Sequence, residues 1–164
     1  MSDAGQMEAR SISRPATGGD LVAKSTLDVH AAAALDRLTR WAATALRARM
    51  ALVSLVEGDG VVVASPSGDR RDEPLVAALC ARIVATHEPL ATPGDGEAPA
   101  FVGAPLIDST GNVLGCFGAI DAAPRAWSEH DTALVTELAI STTTELELRT
   151  ARAMAAGGRI WAGY

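Results

Sequence analysis

Lysine is nearly missing from this chain. Lys24 is its one example among 14 basic residues, and the arginines are scattered along the 164 positions. Only Arg70 and Arg71 stand side by side, so no basic stripe can follow a phosphate backbone. With a formal charge of −6, nucleic acid is not an expected partner. Cysteine is scarce as well. Cys80 and Cys116 are too few and too far apart for a disulfide framework, and free thiols are expected. Long apolar runs are missing, so no membrane span is expected. The first residues carry no apolar stretch of the signal-peptide kind, which makes a cytoplasmic location the expectation.

Apolar residues do make up 48% of the chain and charged ones 21%, the balance of a globular protein. The length suits one domain with a real core plus tails. Residues 1–24 mix Ser, Gly, Asp, Arg and Pro without periodicity and are predicted to be a mobile leader. Ser25-Thr-Leu-Asp28 is a helix-start signature. Behind it Leu27, Ala31, Ala34, Leu38, Trp41 and Ala45 recur in steps of four and three, widened by Leu35, Ala42 and Leu46. That spacing predicts an amphipathic helix able to seat against a sheet or against a sister helix.

Two hairpins follow from the turn residues. Met50–Val56 and Gly60–Ser65 flank Glu57-Gly58-Asp59, and Phe101–Ile107 and Val113–Asp121 flank Asp108-Ser-Thr-Gly-Asn112. Between the hairpins, Pro74 opens a helix carrying Leu75, Leu79, Arg82 and Ile83 to about Thr86. Residues 89–99 hold three prolines and predict a loop with one short edge strand. Ser128-Glu-His-Asp131 is a capping box for a last helix with Leu134, Val135, Leu138, Ala139, Leu146 and Leu148. Trp41 and Trp127 are expected as core or helix-junction anchors. Beyond Gly157-Gly158 lies a short apolar tail containing Ile160, Trp161 and Tyr164. The order predicts an α+β fold: a central antiparallel sheet with the first and last helices on one face and the middle helix with its loops on the other. Hairpin-bounded strands exclude a doubly wound parallel sheet. The domain is placed at 25–150, with 151–164 as a helical extension or tail.

Leu35-Asp-Arg-Leu-Thr-Arg40 leading to Ala51–Val56, the helix Leu79–Thr86, and Gly103-Ala-Pro-Leu106 through Asp121-Ala-Ala-Pro-Arg125 together resemble the GAF domains of bacterial sensor kinases and regulatory phosphatases. The resemblance covers Leu27 to Leu148. It implies a PAS-related sheet with a pocket between its open face and the middle helix, and terminal helices that dimerise. The expected function is a sensory or regulatory module in signal transduction that works by binding a small molecule, by homodimerisation, or both. No output module follows Arg149, so output is expected through a signalling-protein partner. The family's lid is longer than the Glu88–Ala100 segment here, which argues against a deep enclosed pocket.

On that resemblance, strand positions Ser54, Phe101 and Phe117, with Cys80 and Val84 of the middle helix, are the expected lining of a ligand site. The surroundings of Cys80 are similar to a cysteine segment of GAF-type free methionine sulfoxide reductases. That chemistry needs an attacking thiolate and a resolving thiol. The other cysteines of those enzymes fall in the lid, where this chain has none. Cys116 sits mid-strand, so two inert buried thiols are expected and the reductase is the alternative function. No catalytic residue is assigned. A ligand-free assembly module, its pocket filled by its own side chains, is the third reading.

No cofactor or metal is expected. His30, His87 and His130 lie on separate elements in no ligand spacing, and His87 at a helix end suits the helix dipole better than a haem. Bilin attachment is disfavoured because Ala81 follows Cys80. The cyclic-nucleotide signature fails, since Asn112 is the single asparagine and Lys24 the single lysine. Gly58-Asp-Gly60 and Gly115-Cys-Phe-Gly118 precede no helix and are not phosphate loops. The Asp69–Glu73 charges are expected to form a loop salt-bridge cluster of little energetic weight.

Overall fold

A computed structural model describes residues 29–66 and 73–161. Helix α1 (Val29–Leu46) leads into strands β1 (Met50–Glu57) and β2 (Gly60–Pro66). Helix α2 (Glu73–Thr86) follows, then β3 (Leu90–Thr92), β4 (Ala100–Ile107), β5 (Val113–Asp121) and the long α3 (Glu129–Trp161). The strands form one antiparallel sheet in the order β2-β1-β5-β4-β3. Fold class and element order agree with the sequence-based expectation. The leader, the Ser25–Asp28 box, Arg70-Arg71, Tyr164 and the side chains of His30 and Trp161 lie outside the described residues.

Alternation along the strands divides the core in two. On β1, Ala51, Val53 and Leu55 face the back with Val102, Ala104, Leu106, Leu114, Phe117 and Ala119. There they meet Leu35, Ala42 and Leu46 of α1 and Val135, Leu138, Ala139 and Leu146 of α3. Met50 and Leu52 face the front with Phe101, Cys116 and Ile120, under Val76, Cys80 and Ile83 of α2. A period of two along a strand is the physical reason one sheet can serve two cores.

The helices bury slightly different stripes from those the spacing suggested. On α1 the sheet takes Ala34, Leu35, Thr39, Ala42 and Leu46, whereas Trp41 is 56% exposed and is no core anchor. On α2 the buried row is Val76, Cys80 and Ile83; Leu75 and Arg82 are exposed. On α3 Leu148 is exposed, whereas Thr142 and Thr143 are buried. Their hydroxyls donate to the carbonyls of Leu138 and Ala139 at 2.7 and 2.8 Å, which lets two polar side chains be buried without an orphan group.

Local devices hold the ends. Ser128 Oγ accepts from the Asp131 N–H at 3.0 Å while Asp131 accepts from the Ser128 N–H at 2.9 Å, the reciprocal box expected from the sequence. Arg47 ends α1 with a φ of 51°, and the Ala48 N–H returns to the Ala43 carbonyl. Trp127 anchors the junction before α3 by donating from its ring nitrogen to the Thr92 carbonyl at 3.1 Å. At Gly115 the strands β1 and β5 approach so closely that a Cβ would run into the Ser54 carbonyl oxygen. Only glycine fits there.

Candidate functional site

The front of the sheet is the face on which the sequence places a ligand. Ser54 lies in β1 where the register against β2 shifts, opposite Cys116 of β5. Cys80 comes down from the buried row of α2. These three side chains meet: the Cys116 thiol donates to Cys80 Sγ, the sulfurs 2.7 Å apart, and both residues are fully buried. The Ser54 hydroxyl points to the Cys116 carbonyl at a long 3.5 Å. Strand spacing alone could not have found this pair, because 36 residues separate the two cysteines. Both thiols are buried, as expected, and the fold sets them side by side.

The two thiols are electrostatically unequal. The hydrogen bond from Cys116 lowers the Cys80 thiol below its ordinary value, and the Ser54 hydroxyl adds to this against the opposing effect of burial. Burial raises Cys116 well above the ordinary value, and its role as donor to a charged Cys80 raises it further. Cys80 is the more acidic of the two thiols and Cys116 the less.

Phe101 fills the remainder of the front. Its ring lies on a glycine floor made by Gly103 and Gly118, which are directly opposite each other on β4 and β5. A Cβ at Gly103 would stand 2.7 Å from the ring and 2.8 Å from Ile83 Cδ1; at Gly118 it would stand 3.0 Å from the ring. Thus the aromatic side chain occupies the space between sheet and α2. Val84 is half-buried on α2. Phe117 does not join this set. It pairs with Val53 and Ala104 and faces α1 and α3, because an odd step from Cys116 turns the side chain to the back. Of the five expected lining residues, the fold brings Ser54, Cys80 and Phe101 to one face, leaves Val84 half-buried on α2 outside that cluster and sends Phe117 to the other core.

His87 takes a left-handed φ of 59° at the end of α2 and its N–H returns to the Ile83 carbonyl at 2.8 Å, so it is the helix cap. His130 is exposed in the first turn of α3. Among the described residues no group of three His, Cys, Asp or Glu side chains is arranged to hold a metal ion. None of the described helices is long and apolar enough to cross a membrane.

The back of the molecule carries a second candidate surface. Ala34, Arg37, Leu38 and Trp41 of α1 line a cleft with Ser141 and Glu145 of α3. Trp41, Ile140 and Leu148 are large apolar side chains exposed on this helix pair, at 56%, 56% and 44%.

Sequence reasoning also missed Arg125. Its guanidinium donates to the carbonyls of Leu46 at 2.6 Å and Arg47 at 3.1 Å, the open end of α1. It pairs with Asp121 at 3.3 Å and Asp131 at 3.7 Å and stacks 4.1 Å from the Trp127 ring centre. One side chain thereby ties α1, β5 and α3 together. The Pro124-Arg125 step after a strand was its sequence signal.

The GAF domain family model matches residues 30–146. Solved structures agree in fold. The GAF domain of the Acinetobacter phosphoenolpyruvate-protein phosphotransferase superposes with a TM-score of 0.63 at 14% identity, over 80% of this chain and 90% of that one. The GAF-B domain of DevS from Mycobacterium smegmatis gives 0.59 at 18% identity, over 74% and 96%. The type II free methionine-R-sulfoxide reductase from Thermoplasma acidophilum gives 0.61 at 12% identity, over 77% and 95%. No curated protein sequence matches the chain significantly.

Proposed function

The chain belongs to the GAF domain family, whose members are generally sensory and regulatory modules of signal transduction, and from that premise we propose that it signals as a homodimer joined through α1 and α3. The observation that carries this reading is the exposed apolar surface of the helix pair, with Trp41 at 56% exposure beside the α1–α3 cleft. A large aromatic side chain of this kind is the residue type that anchors interfaces. The spacing of α1 supports it too: the sheet uses the Leu35, Ala42 and Leu46 stripe with Leu38 packed at its edge, which leaves Trp41 and Ala45 for a neighbour. A small ligand at the front, bounded by Ser54, Cys80, Val84 and Phe101, would have to displace the Phe101 ring from its glycine floor. The filled front therefore favours dimerisation as the working principle, with output through a signalling-protein partner.

Sedimentation equilibrium tests the reading. The wild-type chain is expected at twice its monomer mass, and Trp41→Glu with Leu148→Glu at the monomer mass with an unchanged far-ultraviolet circular dichroism spectrum. A wild-type chain that stays monomeric at every accessible concentration sinks it.

The meeting of Cys80 and Cys116 favours one alternative, a thiol-dependent reductase of free methionine sulfoxide. The resolving thiol that such chemistry needs is within reach in the fold. Turnover of free methionine sulfoxide with a dithiol reductant, lost in Cys80→Ser, is the outcome this alternative requires. A purified chain inert towards that substrate removes it.

A further inference from the structure

We propose that Cys80 and Cys116 form a peroxide-reactive dithiol that closes to a disulfide and staples α2 to β5. Three observations on the front face carry this. The sulfurs stand 2.7 Å apart, so a covalent bond of about 2.05 Å needs a shift of only about 0.7 Å. They come from different layers, one from the helix and one from the strand beneath it, so a bond between them changes how the layers are joined. The Ser54 hydroxyl is buried against both, a polar group in an otherwise apolar cluster where a serine has no packing advantage.

The chemistry is balanced with a hydroperoxide as oxidant. The Cys80 thiolate attacks one peroxide oxygen; an S–O bond forms and the O–O bond breaks, leaving hydroxide, which takes a proton to become water. Cys80 is then a sulfenic acid. The Cys116 thiol loses its proton and its sulfur attacks the Cys80 sulfur. The S–S bond forms, the S–O bond breaks, and hydroxide leaves with that proton as a second water. Two thiols lose two electrons and one hydrogen peroxide is reduced to two waters. Position sets the direction: Cys80, on the covering helix, meets the oxidant first and attacks, and Cys116, in the strand beneath it, resolves.

Both sulfurs are buried, so the oxidant enters when α2 lifts locally. Few large side chains hold that helix down (Val76, Ile83 and the half-buried Leu79 beside Cys80 itself), which places it among the more easily opened parts of the fold. Reduced, α2 rests on packing and the thiol hydrogen bond. Oxidised, it is tied to the centre of the sheet, and the cover over Phe101 is fixed. This inference stands on the cysteine pair and is independent of dimerisation through the opposite face.

The test uses the reduced full chain titrated with hydrogen peroxide. At one equivalent the intact mass is expected to fall by about 2 Da, both free thiols to disappear together, and a non-reducing peptide map to join the Cys80 and Cys116 peptides within one chain. The melting temperature should rise by roughly 5–10 °C, because the bond closes a loop that the unfolded chain must otherwise order. Dithiothreitol should reverse every change. Cys116→Ser should stop at a sulfenic acid on Cys80 that dimedone traps, and Cys80→Ser should not react. The wild-type measurement carries the test even where a variant folds poorly. Gains of about 16 or 32 Da without the 2 Da loss, links between chains only, or thiols that ignore peroxide until the chain is denatured would each overturn it. Disulfide formation without turnover of free methionine sulfoxide upholds the proposal while removing the reductase alternative.

Discussion

Arg125 illustrates how much one side chain can join. It caps two carbonyls at the end of α1, pairs with two carboxylates and lies over an indole, at a site 23% exposed. Hydrogen bonds of a charged donor to carbonyls contribute more than neutral ones, while partial exposure weakens the ion pairs. Arg125→Ala is expected to lower stability by about 2 kcal/mol, and Arg125→Lys to recover little of it, because an ammonium cannot reproduce the planar fork. Urea unfolding curves of the two variants measure this. Asp108 governs the second hairpin turn. Desolvation works to raise its carboxyl, but bonds accepted from Thr110 and Asn112 outweigh that and hold it below its ordinary value. A carboxyl lowered in the folded chain stabilises above its unfolded pKa, and that contribution is lost as the pH falls through the folded value. Amide exchange in the 108–112 turn should therefore accelerate on the acid side, below about pH 4, relative to the strand amides. Asp108→Asn should flatten that pH response. The turn was readable from Asp108, Gly111 and Asn112 alone, since their chemistry is local. The capping role of Arg125 was not, since the two carbonyls it caps lie 78 and 79 positions away.

At the scale of elements, boundaries followed from caps and turn residues, and faces did not. The Ser128 box, Pro74 and the Gly58-Asp59 turn were legible because each acts on its immediate neighbours. Ser128→Ala should destabilise the chain by about 1 kcal/mol through loss of the accepted Asp131 N–H, with a thermal melt as the check. Trp41 and Leu148 show where periodicity stops. Both fit an apolar stripe, yet the sheet buries Leu35, Ala42 and Leu146 instead. A broad stripe leaves the helix free to rotate by some tens of degrees, and the shape of the surface beneath decides the outcome. Likewise Phe117 is expected in the front lining, whereas the strand carries Cys116 there.

For the molecule as a whole, α3 is the feature that reaches past the core. Its 33 residues extend for about 50 Å, and from Ala151 to Gly157 every side chain is exposed. A Met154→Ala variant is accordingly expected to melt within about 2 °C of the parent chain, because that side chain is 63% exposed and little apolar area is removed from contact. A larger loss, measured by calorimetry, would show that this overhang has a partner, and a matching loss of dimer mass would locate it in the homodimer. The α+β class, the order of elements, the sheet built from two hairpins and the GAF resemblance were all determined by the sequence itself. They depend on spacing, turn residues and caps, which act over a few positions. The meeting of Cys80 with Cys116, the Phe101 ring on Gly103 and Gly118, and the exposure of Trp41 were decided only by the tertiary structure. Each needs residues brought together across tens of positions by strand register and layer packing, and no local rule carries that information.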